Sequence, residues 1–123
     1  EESAEAVEDA RRAAHANGVA GVRFVVARVE EFLKYPKAHG VDFEAQPLRA
    51  AVLNPPRSGC RAGVMETLAA LGAEQLAYVS CRPASLLRDL QLLGDRYTVQ
   101  EATAVDMIPL TPHVETLCIL ARR

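Results

Sequence analysis

The first third of the chain alternates between a charged, alanine-rich stretch and a run of valines. Alanines recur between charged residues from Ser3 to Asn17, and Asn17-Gly18 supplies a left-handed stop, which together predict a helix. The run VRFVVA at 22–27 predicts a buried strand, and residues 29–35 predict a short helix that ends before Pro36. Residues 36–46 are polar and contain breakers, so we expect a surface loop there.

The middle of the chain repeats a strand, a loop and a helix. AAVL at 50–53 and LAYVS at 76–80 are short apolar runs typical of strands, and each stops at a proline-containing loop. Residues 61–71 and 84–93 carry apolar side chains at helical spacing, which predicts a helix after each strand.

These patterns together predict an α/β fold. Three strand-loop-helix units favour a parallel sheet with helices on its faces. Residues 97–105 and 116–121 then read as two strands without a helix between them, so we expect an antiparallel pair at the end of the chain.

The composition excludes some classes of protein but does not indicate a function. The chain has 123 residues, of which 50 % are hydrophobic and 24 % charged, so one globular domain is expected. A net charge of -2 gives no overall signature of nucleic-acid binding, and no apolar run is long enough for a membrane span. Three cysteines without zinc-site spacing predict neither a disulfide framework nor a metal site.

The candidate chemistry follows the predicted strands. Ligands of parallel sheets bind at the carboxyl ends of the strands, where NPPRSG (54–59) and SCRP (80–83) lie. Cys81 precedes a predicted helix and adjoins Arg82, and both features favour the thiolate form, so Cys81 is a candidate nucleophile. The alternative from the residues alone is a buried cysteine at the end of a strand.

A second candidate segment is DMIPLTPHVE at 106–115. Its prolines stiffen a loop that ends in His113 and Glu115, and rigid loops with polar groups often carry functional residues. The alternatives are an ordinary loop histidine and a solvated carboxylate at the start of a strand.

Three blocks taken together resemble the RNA uracil-C5 methyltransferase family. They are VLNPPRSG (52–59), YVSCRPASLLRDL (78–90) and AVDMIPLTPHVETL (104–117). The resemblance implies a Rossmann-like class I methyltransferase fold, S-adenosyl-L-methionine as cofactor, and RNA, either tRNA or rRNA, as substrate in the cytoplasm. It implies that Cys81 is the nucleophile and Glu115 the general base.

Five further positions are candidate binding residues, and the resemblance gives roles to the first two. Glu1 aligns with the acidic residue that holds the cofactor ribose, and Asn54 with the first residue of a motif at the cofactor and uracil pocket. Many members carry aspartate where this chain has Asn54, which keeps a carbonyl acceptor but loses the charge. Arg57, Arg82 and His113 would contact the RNA substrate.

A complete domain of this family begins with a strand and a glycine-rich turn, and neither is found here. Residues 1–123 are therefore expected to be a partial catalytic domain, without its N-terminal RNA-binding domain and first cofactor-binding strand. We expect the isolated chain to be weakly stable or rearranged and to be inactive on RNA without that N-terminal portion.

Two other function classes remain open at this point. One is an RNA-binding or assembly module that kept the fold without the reaction. The other is an amino-group methyltransferase in which NPPR replaces an NPPY motif, although Arg57 stands where the tyrosine would stack on a base.

Overall fold

The computed structural model describes residues 1–112 and 114–123. These residues form two compact units, Glu1–Asp42 and Phe43–Arg123, each of which is described by itself. Among the described residues, no helix combines the length and apolar content that a membrane crossing needs.

The first unit is helical. Its longest helix is capped at the start by the Ser3 hydroxyl, which accepts the Ala6 N–H at 3.2 Å, and it ends at Asn17, followed by Gly18 at a φ of +65°. The expected short helix is confirmed, and a 3-10 turn lies in the predicted loop. The helices are α1 (Ala4–Ala16), α2 (Val29–Lys34) and a 3-10 helix (Pro36–His39).

The buried strand predicted at 22–27 is wrong. None of these residues is buried, and Val22 is 53 % exposed. Among the described residues its backbone is paired only with that of Glu1, whose terminal ammonium donates to the Val25 carbonyl at 3.3 Å and whose carbonyl accepts the Ala27 N–H at 3.0 Å. A strand needs a partner for its whole length, and a single paired residue does not provide one.

The second unit contains a four-stranded mixed sheet formed by the described residues. The strand order is β1-β2-β4-β3, in which β1 and β2 are parallel and β4 runs antiparallel to both of its neighbours. The predicted antiparallel pair at the end of the chain is therefore confirmed, whereas only β1 and β2 make the predicted parallel arrangement. The strands are β1 (Ala50–Leu53), β2 (Gln75–Ser80), β3 (Tyr97–Val105) and β4 (Glu115–Arg122).

Two helices supply the rest of the core, α3 (Val64–Leu71) and α4 (Pro83–Gln91). Alternate side chains of β2 and β4 and one stripe of each helix meet in a single cluster, so the second unit has one hydrophobic core. The cluster comprises Met65, Ala69, Ala73, Leu76, Tyr78, Leu86, Leu93, Tyr97, Cys118 and Leu120. These elements confirm the α/β class and anchor the carboxyl end of β2 firmly.

Candidate active site

Cys81 lies in a tight turn between the end of β2 and the start of α4. The Ser80 hydroxyl accepts the Arg82 N–H at 3.1 Å and donates to the Arg82 carbonyl at 3.0 Å, so both sides of Cys81 are fixed. Ser80 is buried, while Cys81 itself is only partly buried. The turn thus holds the thiol at the edge of the sheet with access to solvent.

The pairing of β2 with β4 brings Glu115 to the same edge. The last pair of this antiparallel ladder is Ser80 with Thr116. Cys81 directly follows Ser80, and Glu115 directly precedes Thr116, so both residues lie at this edge of the sheet, just beyond the last pair. Glu115 is the first residue of β4, is partly buried, and also pairs with Val105 of β3.

The loop after β1 lies beside the turn that holds Cys81. Because β1 and β2 run parallel, their carboxyl ends meet at one edge, and Asn54 is the first, exposed residue beyond β1. Two side chains of α4 bind this loop through its carbonyls. Ser85 Oγ donates to the Arg57 carbonyl at 2.7 Å, and Arg88 Nη2 donates to the Ser58 carbonyl at 2.8 Å.

A buried carboxylate, Asp89 of α4, joins the loop after β1 to strand β2. It is fully buried, and its Oδ2 accepts the Cys60 backbone N–H at 2.6 Å and a hydrogen bond from the Tyr78 hydroxyl. Its Oδ1 accepts the Arg88 Nη2 at 2.6 Å. Burial raises the pKa of this carboxyl, but the hydrogen bonds from Tyr78, Cys60 and Arg88 outweigh burial and hold the pKa below its ordinary value.

The contact of Asp89 with Cys60, Tyr78 and Arg88 is called the Asp89 junction below. Gly59 lies directly against it. Its φ is +81°, a conformation that other residues rarely adopt, and a Cβ atom there would lie 2.6 Å from Asp89 Oδ2 and clash with Arg88. The NPPRSG segment can therefore approach α4 closely only with glycine at this position.

Replacement of Asp89 by asparagine is expected to lower the free energy of unfolding by about 1.5 to 3 kcal/mol, the value of hydrogen bonds to a charged group. Because the folded-state pKa is lowered, this stabilisation is complete above the ordinary carboxyl value of 3.8 and declines as the pH falls through the folded-state pKa. Denaturant unfolding of both proteins between pH 7 and pH 2 measures the difference. A gap that stays constant to the lowest pH would contradict the role of the carboxylate.

The three cysteines, all free, occupy different environments. Burial raises the pKa of the Cys60 thiol to about 11 and also raises that of Cys118, so both are thiols at neutral pH. Cys118 is 1 % exposed and belongs to the hydrophobic core, and Cys60 packs at the margin of that core. Cys81 alone of the three lies in the turn at the carboxyl end of β2.

The other predicted site residues fall in separate places. Arg57 and Arg82 are exposed at the same edge as Cys81, and neither has an ion-pair partner among residues 1–112 and 114–123. Glu1 belongs to the first unit, where the Ser3 N–H donates to its carboxylate at 2.9 Å and lowers its pKa. His113 lies outside the described residues. The described residues contain no group of three side chains that could hold a metal ion.

Sequence reasoning missed the residues that hold the two loops together. Asp89 stands on the same helical face as Ser85 and Leu86, both of which are buried, and an acidic residue on an apolar face was the available sign. Its partners could not be inferred, because Tyr78 and Cys60 come from other elements and their contacts depend on the folded arrangement.

Comparisons with known proteins agree with the geometry. The chain is 43 % identical over 119 residues to an uncharacterized RNA methyltransferase of Listeria innocua, covering 97 % of this chain and 25 % of that protein. A similar protein of Geobacter sulfurreducens is 40 % identical, with coverage of 96 % and 23 %. The chain thus spans about a quarter of the length of these relatives.

A solved structure has the same fold. The tRNA (uracil-54, C5)-methyltransferase of Pyrococcus abyssi, in complex with S-adenosyl-L-homocysteine, superposes with a TM-score of 0.80 at 30 % identity, over 98 % of this chain and 27 % of that chain. This match confirms the methyltransferase fold expected from the sequence. The profile of the tRNA (Uracil-5-)-methyltransferase family matches residues 1–123, and the chain therefore belongs to that family.

Proposed function

We propose that the protein containing this chain methylates carbon-5 of a uridine in RNA through a covalent cysteine adduct. The observation that supports the proposal is the β2–β4 register, whose last pair is Ser80 with Thr116, so that the neighbouring residues Cys81 and Glu115 both lie at one edge of the sheet. A nucleophile and a base at one edge can act on two adjacent atoms of one ring.

Cys81 would begin the reaction. Its sulfur forms a bond to carbon-6 of uracil, and the electron pair of the 5,6 double bond moves into the ring as an enolate. Carbon-5 thereby becomes nucleophilic, which it is not in free uracil. The turn fixed by Ser80 gives the sulfur a constant position for this addition.

Glu115 would complete the methylation reaction. Once carbon-5 carries the new methyl group it also carries a hydrogen, which must leave before the ring can regain its double bond. The Glu115 carboxylate accepts this proton, the electron pair reforms the 5,6 double bond, and the Cys81 sulfur departs. No oxidant or reductant is required.

S-adenosyl-L-methionine would supply the methyl group when bound. Two residues are carried over from the family resemblance as candidate cofactor-binding groups, each within its own unit. In the first unit the Glu1 carboxylate is an acceptor suited to ribose hydroxyls, and in the second unit the exposed amide of Asn54 follows β1. The Pyrococcus abyssi protein was solved with S-adenosyl-L-homocysteine, which supports this choice of methyl donor.

RNA is the proposed substrate, and tRNA is favoured over rRNA because the Pyrococcus abyssi protein acts on uracil-54 of tRNA. Arg57 and Arg82, both exposed beside Cys81, would bind the RNA, together with His113. Such a substrate favours a cytoplasmic location. Since the chain spans about a quarter of its relatives, we assign the activity to the full-length protein, with an N-terminal portion as its intramolecular partner.

The test is to incubate the full-length protein with S-adenosyl-L-methionine and cellular RNA that contains 5-fluorouridine. Fluorine at carbon-5 cannot leave as a proton does, so a covalent protein–RNA complex should accumulate and survive denaturing electrophoresis. Sequencing the attached RNA then identifies the uridine. RNA binding without any adduct or methyl transfer would favour a binding module over an enzyme.

A further inference from the structure

An open depression lies on the surface beside the turn that holds Cys81. It is lined by Ser58, Arg82, Ala84, Ser85 and Arg88, so two guanidinium groups and no carboxylate face it. We propose that this depression, the basic depression below, binds the 5′-phosphate of the uridine that Cys81 attacks. This inference rests on the proposed function and adds to it a defined contact with the RNA backbone.

Two different properties favour anion binding by the two arginines: Arg88 is held in a fixed position, and Arg82 carries an uncompensated charge. Arg88 is held by Asp89 and by the Ser58 carbonyl through its Nε and Nη2 groups, which leaves Nη1 without a partner among the described residues. A guanidinium fixed in this way loses little freedom when it binds a phosphate. Arg82 is exposed, and its side chain has no ion-pair partner in the described part of the chain, so its positive charge is uncompensated.

The chemistry of a nucleotide decides which phosphate should lie here. In the usual anti conformation the carbon-6 edge of a pyrimidine faces its own 5′-phosphate, whereas carbon-5 and the carbonyl oxygens point away from it. A sulfur that bonds to carbon-6 must therefore approach close to that phosphate. Arg82 directly follows Cys81, and the basic depression extends from it across the first turns of α4.

The phosphate contact would also help to orient the uracil ring for catalysis. Uracil is small, and a ring held only by its edges can rotate about the glycosidic bond. Fixing the phosphate and the base at once restricts that rotation and presents carbon-6 to the sulfur. Arg82 and Arg88 would thus be substrate-positioning residues, in addition to their contribution to RNA affinity.

The test uses the full-length protein and a synthetic RNA in which a neutral methylphosphonate replaces the phosphate 5′ to the mapped target uridine. We expect kcat/KM for methyl transfer to fall roughly tenfold with wild-type protein, as for loss of a hydrogen bond to a charged group. Arg82→Gln should show a similar loss on unmodified RNA, and the methylphosphonate should then cost it less than about threefold, because the contact is already gone.

Arg96→Gln is the matched control, since it removes the same charge from the opposite edge of the sheet, before β3. It should respond to the methylphosphonate as the wild type does. Arg82→Gln should also reduce the slope of log KM against log salt concentration by about 0.7, as expected for one lost phosphate contact to a single strand. Because the Arg82 side chain has no ion pair to lose, this variant should fold normally.

Three outcomes separate the hypotheses. Equal methylphosphonate losses in wild type and Arg82→Gln would overturn the phosphate site while leaving the methyltransferase proposal intact. Arg82→Gln could instead bind S-adenosyl-L-homocysteine more weakly while its RNA affinity stays unchanged. That result would assign the basic depression to the carboxylate of the methyl donor and would also overturn the inference. Absence of methyl transfer and of the fluorouridine adduct in wild type would overturn the proposed function itself.

Discussion

Cys81→Ala is expected to abolish methyl transfer and the adduct with 5-fluorouridine RNA together. Without the sulfur, carbon-6 has no nucleophile and carbon-5 stays unreactive, so kcat should fall by roughly 10⁴-fold or more, as for nucleophiles removed from other covalent enzymes. Cys81 is only partly buried and belongs to no core cluster, so the variant should unfold like the wild type. Transfer of a labelled methyl group to RNA and denaturing electrophoresis measure the two losses.

Cys60→Ala provides the matched control for that experiment. Burial keeps Cys60 a thiol at neutral pH, and alanine retains the backbone N–H that Cys60 donates to Asp89. This variant should therefore form the fluorouridine adduct at a rate close to wild type. Loss of the adduct in Cys60→Ala, or its persistence in Cys81→Ala, would show that the nucleophile has been misassigned.

The carboxyl-end loops were predictable from the sequence because their residues interrupt apolar runs. Prolines cannot continue a ladder, so β1 had to end before Asn54 and β2 before Pro83, and the structure ends them at Leu53 and Ser80. Parallel neighbours then bring both loops to one edge. The position of Glu115 at the edge that carries Cys81 required the register of β4, which alternation alone leaves free to slip until the strands are paired.

The strand prediction at 22–27 was wrong for a different physical reason. The apolar content of VRFVVA favours a strand, but strand formation also needs neighbouring backbone, and the described chain provides only Glu1. The Asp89 junction was missed for the converse reason. Its energy comes from hydrogen bonds between residues distant in sequence, such as Cys60 and Asp89, and no local pattern contains them.

The junction explains how residues from two loops can share one reaction. Asp89, Arg88 and Ser85 all lie on α4 and bind the backbone of the loop after β1, so three hydrogen bonds fix that loop to the helix that begins directly after the Cys81 turn. A displacement of about 1 Å in either part can cost a covalent reaction 10²-fold. The buried carboxylate therefore bears on catalysis through geometry, although it touches no reacting atom.

Glu115→Gln is expected to halt the reaction after methyl transfer, whereas Cys81→Ala prevents the first addition. The sulfur can still add and carbon-5 can still be methylated, but the proton on carbon-5 has no acceptor, so the sulfur cannot leave. Turnover should fall by about 10² to 10⁴-fold, the usual contribution of a general base. A covalent complex should therefore accumulate with ordinary, unfluorinated RNA, which electrophoresis and mass measurement of the complex would detect.

Accumulation of a covalent complex in Glu115→Gln is expected only if Glu115 acts as a base after carbon-5 has been methylated. With 5-fluorouridine RNA, Glu115→Gln should form the adduct as the wild type does, because that adduct needs no proton removal. Glu101→Gln removes an exposed carboxylate from the same β3–β4 pair and should turn over normally. If Glu115→Gln formed no adduct with either RNA, the carboxylate would be acting on the addition of Cys81, and its assignment as the final base would be wrong.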